Sequence, residues 1–161
     1  MPSVRLAAVS KADGEPHLVA ALETAGGGRG IVELALRDGA LSMVAQGIEN
    51  APWDDVLDLD LAPYRLAADQ RAIGVRYQRM VPGGTGVFLV LYLRNGTAFD
   101  RVFEEQVRFA PEGGDAEWEA TVQVVPRTDG YNDLRVAAPG RPGQALVLRW
   151  DAAARRYVYR R

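Results

Sequence analysis

Residues 87–93 read Val-Phe-Leu-Val-Leu-Tyr-Leu and lie between two turn-forming segments, residues 82–86 and 94–96. An uninterrupted apolar run, rich in β-branched and aromatic residues and bounded by turn formers, is typical of a strand covered on both faces. We therefore place this strand at the centre of the fold. Because strand side chains alternate, two buried sets are expected: Phe88, Val90 and Tyr92 on one face, and Leu89 and Leu91 on the other.

Turn signals on either side predict the neighbours of this strand. The dipeptide Asn95-Gly96 favours a two-residue hairpin turn, and the Pro-Gly-rich residues 82–86 predict a second turn. Residues 72–104 are therefore expected to form three adjacent antiparallel strands. In the same way, Asp38-Gly39 predicts an antiparallel hairpin that joins residues 31–36 to residues 41–45.

The rest of the chain shows short apolar runs separated by turn formers. About ten strands, with a turn every 8–12 residues or so, predict an all-β antiparallel sandwich or barrel. Residues 16–24 are the single candidate helix, because Pro16 suits a first helical position and residues 26–28 are three glycines that would end it. The same residues also fit a strand, so we expect at most one short helix.

Alternation in two further runs predicts half-buried strands. In residues 56–61, Leu57, Leu59 and Leu61 are expected on one face, with Asp58 and Asp60 on the other. In residues 117–125 the side chains expected to face the core are Trp118, Ala120, Val122 and Val124.

Composition limits the class of protein. At 161 residues with no break in composition, the chain is expected to form a single domain, residues 1–161. A net charge of −2 and a pI near 5.5 argue against nucleic acid as a partner. The longest apolar run is far shorter than the roughly 20 residues of a membrane-spanning helix. There are no cysteines, which excludes disulfides and thiolate chemistry.

The first ten residues lack the basic and long apolar regions of a secretory signal. This leaves two interpretations: a cytoplasmic protein, or the mature form of an exported protein behind an added Met. The oligomeric state is open.

Residues that usually carry catalysis are not arranged in a known pattern. His17 is the single histidine and is expected to have a surface or capping role, and no serine lies in a Gly-x-Ser-x-Gly elbow. Residues 26–30 are rich in glycine, but they lack the flanking strand and helix of a phosphate-binding loop. We therefore predict no catalytic residues, no cofactor and no metal site.

A cluster of acidic residues beside a tryptophan is the candidate binding site. Carboxylates on one strand face suit acid–base hydrolysis of a sugar or the oxygen ligation of calcium, although any half-exposed strand also places polar residues outward. The candidate residues are Trp53, Asp54, Asp55, Asp58 and Asp60.

Residues 128–136, Thr-Asp-Gly-Tyr-Asn-Asp-Leu-Arg-Val, resemble the second half of the calcium loop of FG-GAP/VCBS-type repeats. The resemblance implies an exported bacterial protein, and on it Asp129 and Asp133 match the later two acidic ligands. The earlier ligand positions hold Val125 and Arg127, which cannot ligate calcium. Asp129, Gly130 and Asp133 are therefore expected to form a structural turn and not a metal site.

Three hypotheses follow. The first is a non-catalytic bacterial envelope or secreted protein, periplasmic or extracellular, that binds another macromolecule. In one form of this hypothesis the chain itself is the inhibitor or immunity-type partner. The second is a carbohydrate-binding module or carboxylate-based glycoside hydrolase centred on residues 53–60. The third is a structural, self-assembling module joined through exposed sheet edges. A flat apolar patch or protruding loop would favour the first, a deep cleft with facing carboxylates the second, and a symmetric contact the third.

Overall fold

Two β-sheets make up the computed structural model, which describes residues 3–12, 15–49, 55–60, 64–114, 117–139 and 145–159. Their strands are β1 (Ser3–Ala12), β2 (Glu15–Glu23), β3 (Arg29–Arg37), β4 (Ala40–Glu49), β5 (Asp55–Asp60), β6 (Ala72–Val81), β7 (Gly84–Asn95), β8 (Ala98–Pro111), β9 (Trp118–Glu119), β10 (Thr121–Val125), β11 (Asp133–Ala137), β12 (Leu146–Asp151) and β13 (Arg156–Tyr159). Strand accounts for 73% and helix is absent from these ranges, which confirms the all-β class. No described segment is a helix suited to crossing a bilayer.

The larger sheet is nearly closed into a barrel. Its order is β1-β2-β3-β4-β8-β7-β6-β5, with β9 paired to β8, and the edge strands β1 and β5 lie side by side. Neighbouring strands are antiparallel except β4 and β8, which run parallel and share one registered pair, Gln46 and Ala98. We call the junction between β4 and β8 the seam. The smaller sheet has the order β10-β11-β12-β13.

The predicted three-stranded unit is confirmed, because β6, β7 and β8 are adjacent and antiparallel. Its strands are longer than the sequence pattern indicated. Gly84 and Gly86 belong to β7 and not to the preceding turn, and a Cβ on Gly84 would lie 2.2 Å from the carbonyl oxygen of Ala110. Glycine therefore permits close approach of two strands here. Likewise, residues 106–109 continue β8 and do not form a separate strand.

The central strand separates two cores, as its alternation predicted. Phe88, Val90 and Tyr92 pack inside the barrel, where the side chains of Ile31 and Tyr77 join them. The opposite side of the strand faces the smaller sheet, and its buried side chains are Leu89, Leu91 and Leu93.

The smaller sheet covers the outside of β6, β7 and β8. Leu134, Leu148 and Tyr157, from three of its strands, share a core with Leu91 and Phe103 of the barrel. Ala120 is buried in the same core. Around it lie the other side chains of the predicted set, Trp118, Val122 and Val124, so their shared orientation is confirmed. The predicted single strand at residues 117–125 is instead two strands, because β9 pairs with β8 of the barrel and β10 belongs to the smaller sheet.

The candidate helix at residues 16–24 does not form, because these residues belong to β2. This strand pairs with β1 on one side and β3 on the other. Three consecutive residues of this strand, Val19, Ala20 and Ala21, are buried, and Ala21 belongs to the core inside the barrel. The strand alternative is therefore the correct one.

The predicted hairpin at Asp38-Gly39 is confirmed. β3 and β4 are antiparallel, and the residues that close the two-residue turn are Arg37 and Ala40. Asp38 has φ 50° and Gly39 has φ 79°, the pair of positive values that defines a type I′ turn.

Candidate functional site

The acidic residues predicted as a binding site lie at one edge of the barrel sheet. Trp53 and Asp54 are outside the described residues. The other three belong to β5, where Asp55 and Asp58 are exposed and Asp60 is half-buried. Gln78 Nε2 donates a hydrogen bond to Asp55 Oδ2 at 3.0 Å, and Asp58 lies opposite Arg76.

A β-bulge between Val56 and Asp58 changes the expected alternation. Leu59 is buried, but Leu57 is 47% exposed, so the prediction that they share a buried face is wrong. Leu61 lies outside the described residues. The bulge inserts an extra residue and therefore reverses the side on which the preceding side chain projects.

Asp60 and Arg76 both interact with the hydroxyl of Tyr64. Burial raises the pKa of the Tyr64 hydroxyl; Arg76 opposes this rise and Asp60 adds to it. No group of three or more histidine or carboxylate side chains in the described part of the chain is placed to hold a metal ion. Among the described residues, the cross-strand neighbours of Asp55 and Asp58 are thus Gln78 and Arg76.

The Asp-Gly loop has the geometry of a turn. Gly130 has φ 64°, which favours glycine. Arg127 Nη2 donates to Asp129 Oδ1 at 2.8 Å, and Arg127 Nη1 lies 3.7 Å from Asp133 Oδ1. The guanidinium thus contacts both carboxylates that match calcium ligands, and it holds the pKa of Asp129 below its usual range.

The same loop fastens the smaller sheet to the segment that follows β5. The Asn132 backbone amide donates to Leu66 O at 2.7 Å, and its side-chain amide donates to Arg65 O at 3.0 Å. Tyr157 donates its hydroxyl proton to Asn132 O at 2.8 Å. These bonds connect the loop to the segment that follows β5 and to β13.

We expect Asp129→Ala to lower the melting temperature equally in EDTA and in millimolar calcium, because Arg127 already supplies the cation. Differential scanning fluorimetry of the wild type and this variant checks the prediction. Asn132→Ala, the control for loss of the structural bonds, should lower the melting temperature further. A calcium-dependent stabilisation that Asp129→Ala or Asp133→Ala abolishes would contradict the prediction.

His17 is buried and not at the surface as the sequence suggested. It is 6% exposed, and its Nδ1 lies 2.5 Å from Glu33 Oε1. Arg94 Nη1 is 3.5 Å from the other oxygen of the same carboxylate. The Glu33 carboxylate, on the interior face of β3, thus has a polar partner at each of its two oxygens, the histidine at one and the arginine at the other.

A chain of polar side chains runs along the seam inside the barrel. The hydroxyl of Tyr92 donates to Glu49 Oε1 at 2.7 Å, and that of Tyr77 donates to Glu104. Arg101 lies between the two carboxylates, with Nη1 2.9 Å from Glu104 Oε2 and Nε 3.7 Å from Glu49 Oε2. Side-chain contacts thus connect β4 to β8 in addition to their one backbone ladder pair, Gln46 and Ala98.

Beside this chain, a cleft of about 540 Å³ opens at the seam. It is lined by Ile48 and Glu49 of β4 and by residues 99–101 of β8. Arg155, from the turn between β12 and β13, places its Nη2 3.0 Å from Asp100 Oδ2. The two carboxylates of the cleft, Glu49 and Asp100, therefore each have a cationic partner. Paired charges of this kind are better suited to binding a surface of complementary charge than to acid–base catalysis.

Sequence reasoning missed the seam because its residues come from four strands. The available signal was weak: Glu49 and Glu104 are acidic residues at the ends of otherwise apolar runs. Such residues become a cluster only when β4 lies beside β8.

Alkaline pH should test the burial of the tyrosine hydroxyls. Burial, together with the carboxylate that accepts each hydrogen bond, raises the pKa of Tyr77 and Tyr92, and burial raises that of Tyr157. A raised folded-state pKa stabilises the fold below the unfolded value, near 10, and this contribution is lost as the pH rises further. We expect stability to fall by about 1.4 kcal/mol per pH unit for each such tyrosine above that value.

Absorbance at 295 nm during an alkaline titration measures the ionisation. The signal of these three tyrosines should appear with unfolding, as followed by circular dichroism. Full tyrosinate absorbance in the folded protein near pH 10.5 would show that the hydroxyls are accessible. Tyr92→Phe should reduce the pH dependence and serves as the control.

The outer side of β2, β3 and β4 is apolar as well. Because Val19, Ala21 and Ile31 face the barrel interior, the alternate residues face outward. We call these outward residues the apolar outer face: Leu18 and Leu22 of β2, Leu34 and Leu36 of β3, and Leu41, Met43 and Ile48 of β4.

These side chains are neighbours across the strands. Leu34 lies opposite both Leu18 and Met43, and Leu36 lies opposite Leu41. The most exposed of them are Leu36 (48%), Leu41 (59%), Met43 (61%) and Ile48 (46%). The smaller sheet lies on β6, β7 and β8 and does not cover this surface. An exposed apolar surface of this kind is a candidate contact surface.

Comparison with known proteins does not place the chain in a family. No protein-family model matches the sequence, no curated protein is significantly similar to it, and no solved structure matches its fold. The geometry of the chain itself therefore carries the functional argument.

Proposed function

We propose that this is a non-catalytic protein that binds another protein through the apolar outer face of β2, β3 and β4. The observation that carries the proposal is a set of four exposed aliphatic side chains on the neighbouring strands β3 and β4: Leu36, Leu41, Met43 and Ile48. Water contact with this set is unfavourable, at roughly 25 cal/mol per Å² of apolar surface. A complementary apolar partner surface removes that contact.

The polar sites of the described residues support binding over catalysis. At the seam, Glu49 accepts the hydrogen bond of Tyr92 and lies near Arg101, and Asp100 pairs with Arg155. Their carboxylates are thus engaged in ion pairs, and the mixed charges can guide the orientation of a partner that docks nearby.

The resemblance of residues 128–136 to a loop of exported proteins supports an envelope or secreted location. An inhibitor or immunity-type role fits this location, because such proteins act by covering a surface of a secreted enzyme. The outer face of the barrel is suited to covering a surface, since it is a regular sheet with apolar side chains.

Capture of the partner from envelope extract of the source organism tests the proposal. The immobilised wild type is compared with the double variant Leu22→Lys/Ile48→Lys, which places two charges on the apolar outer face. The matched control is Leu57→Lys/Met80→Lys, which adds the same charge at exposed apolar residues on β5 and β6. Mass spectrometry identifies proteins that the wild type and control retain and the face variant loses.

Binding of the purified partner is then measured by calorimetry. We expect the face variant to weaken the affinity at least tenfold, because each buried lysine charge must be desolvated. Equal retention of every captured protein by all three chains would reject the outer face as the binding surface.

A further inference from the structure

We propose that two copies of this chain pair antiparallel through the exposed edge of β4, so that their apolar outer faces join into one surface. This inference goes beyond the proposed function, since it assigns the assembly that presents the binding face. Three features support this pairing: the register of the β3–β4 hairpin, the composition of the edge, and the symmetry of the resulting pair.

The hairpin register shows which backbone groups point outward. In a two-residue type I′ hairpin the residues that close the turn, here Arg37 and Ala40, exchange both of their backbone hydrogen bonds. Because such pairs alternate, Ser42 also bonds to β3, and the N–H and C=O groups of Leu41 and Met43 point away from it.

Continuation of the strand agrees with this assignment. A β-bulge lies between the pairs Glu33–Ala45 and Leu34–Met43, and beyond it Gln46 donates its N–H to Thr97 O at 3.0 Å, toward the seam. The outward edge of β4 is thus paired at Gln46. Within the described ranges, no strand pairs with residues 40–45 on that side.

This edge lacks the usual protection against strand pairing. Residues 40–44 read Ala-Leu-Ser-Met-Val, without charge or proline, and the first four are exposed. Natural edge strands are generally blunted by charges, prolines or covering segments. The terminal strand β5 follows that rule, since it carries three aspartates and lies beside β1.

The edge is complementary to itself. Antiparallel pairing about a two-fold axis at Ser42 sets Leu41 opposite the partner's Met43, and Met43 opposite the partner's Leu41. Both members of each pair point outward, so each pair exchanges both of its hydrogen bonds. No charge lies within the paired segment to repel its copy. A two-fold axis perpendicular to the sheet also keeps both apolar outer faces on the same side.

Cysteine cross-linking tests the register. Ser42→Cys introduces the single cysteine of the chain at the two-fold axis, where paired Cα atoms of a non-hydrogen-bonded antiparallel pair lie about 4.5 Å apart and permit a disulfide. The control Ala40→Cys lies two residues from the axis, so its copies are too far apart in the dimer. We expect Ser42→Cys to oxidise to a covalent dimer at least tenfold faster. Equal rates would overturn the proposed pairing.

Analytical ultracentrifugation of the full chain tests the assembly without a cross-link. The wild type should show a monomer–dimer equilibrium that Leu41→Lys weakens at least tenfold, because two lysines are brought near the axis. Met43→Pro removes an outward N–H and should weaken the dimer more than Met43→Ala does. Met80→Lys, at a residue of similar exposure on β6, should leave it unchanged.

The dimer would be overturned if the wild type stays monomeric at several hundred micromolar. It would also be overturned if Leu41→Lys and Met43→Pro both associate as strongly as the wild type. Circular dichroism establishes that each variant is folded. Failure of this inference is distinguishable from failure of the proposed function. The Leu22→Lys/Ile48→Lys variant changes residues far from residues 41–43, so it should remain dimeric while losing the protein partner.

Discussion

Leu91→Ala is expected to lower the free energy of unfolding by about 2–5 kcal/mol. Leu91 is fully buried and lies between the barrel and the smaller sheet, in the core that both sheets share. Truncation removes apolar contacts and leaves a cavity, which the surrounding strands cannot fill without breaking their register. Urea denaturation followed by circular dichroism or tryptophan fluorescence gives the free energy.

Leu57→Ala is the matched control, because it removes the same atoms from a side chain that is 47% exposed. We expect that change to stay within about 0.5 kcal/mol of the wild type. A loss below about 1 kcal/mol for Leu91→Ala would show that the central strand is not enclosed by two cores.

Gly30→Ala should lower the free energy of unfolding by a similar amount, but by overpacking the structure and not by leaving a cavity. A Cβ on Gly30 would lie 1.8 Å from the carbonyl oxygen of Gly47 and 2.7 Å from its carbonyl carbon. These atoms belong to the neighbouring strand β4, so a rotamer change cannot relieve the clash and the two strands must separate. We expect a loss of about 3 kcal/mol or more, since overpacking ordinarily costs 1–3 kcal/mol and a backbone clash is more severe.

Gly26→Ala provides the control, because a Cβ at that position meets no atom within 4 Å. The same denaturation experiment should show a change within about 0.5 kcal/mol. If Gly26→Ala and Gly30→Ala lowered the free energy of unfolding equally, the β2–β3 hairpin would be generally intolerant of alanine. The loss could then not be assigned to the contact between Gly30 and β4.

The sequence was most informative where a strand and its turns are specified locally. Residues 87–93 are apolar on both faces, which already indicates two covering layers, and the structure places the barrel interior on one side and the smaller sheet on the other. Asp38-Gly39 predicted its hairpin because glycine accepts the positive φ of such turns without a Cβ clash. Asn95-Gly96 predicted a hairpin at the right place, but its two turn residues are Gly96 and Thr97, because Asn95 pairs with Ala98 at the end of β7.

Local pattern was ambiguous at residues 16–24. Leu18, Val19 and Leu22 satisfy a helical spacing, yet residues 18–22 are an uninterrupted apolar run that also fits a strand. Pairing with β1 and β3 decided the outcome, since a strand there satisfies backbone hydrogen bonds on both sides. A similar limit applies to β5, where the bulge that exposes Leu57 is a property of its pairing with β6.

The sequence by itself thus determined the all-β class, the central strand and the hairpins around it, because these depend on residues close together in the chain. Tertiary structure alone decided how the sheet closes. It brought Glu49 beside Arg101 and left the edge of β4 exposed. Those features join residues far apart in sequence, and their contacts exist only after β4 lies next to β8. The candidate binding surface is built from three consecutive strands, and the structure decided its exposure because the smaller sheet packs on β6, β7 and β8 and not on this surface.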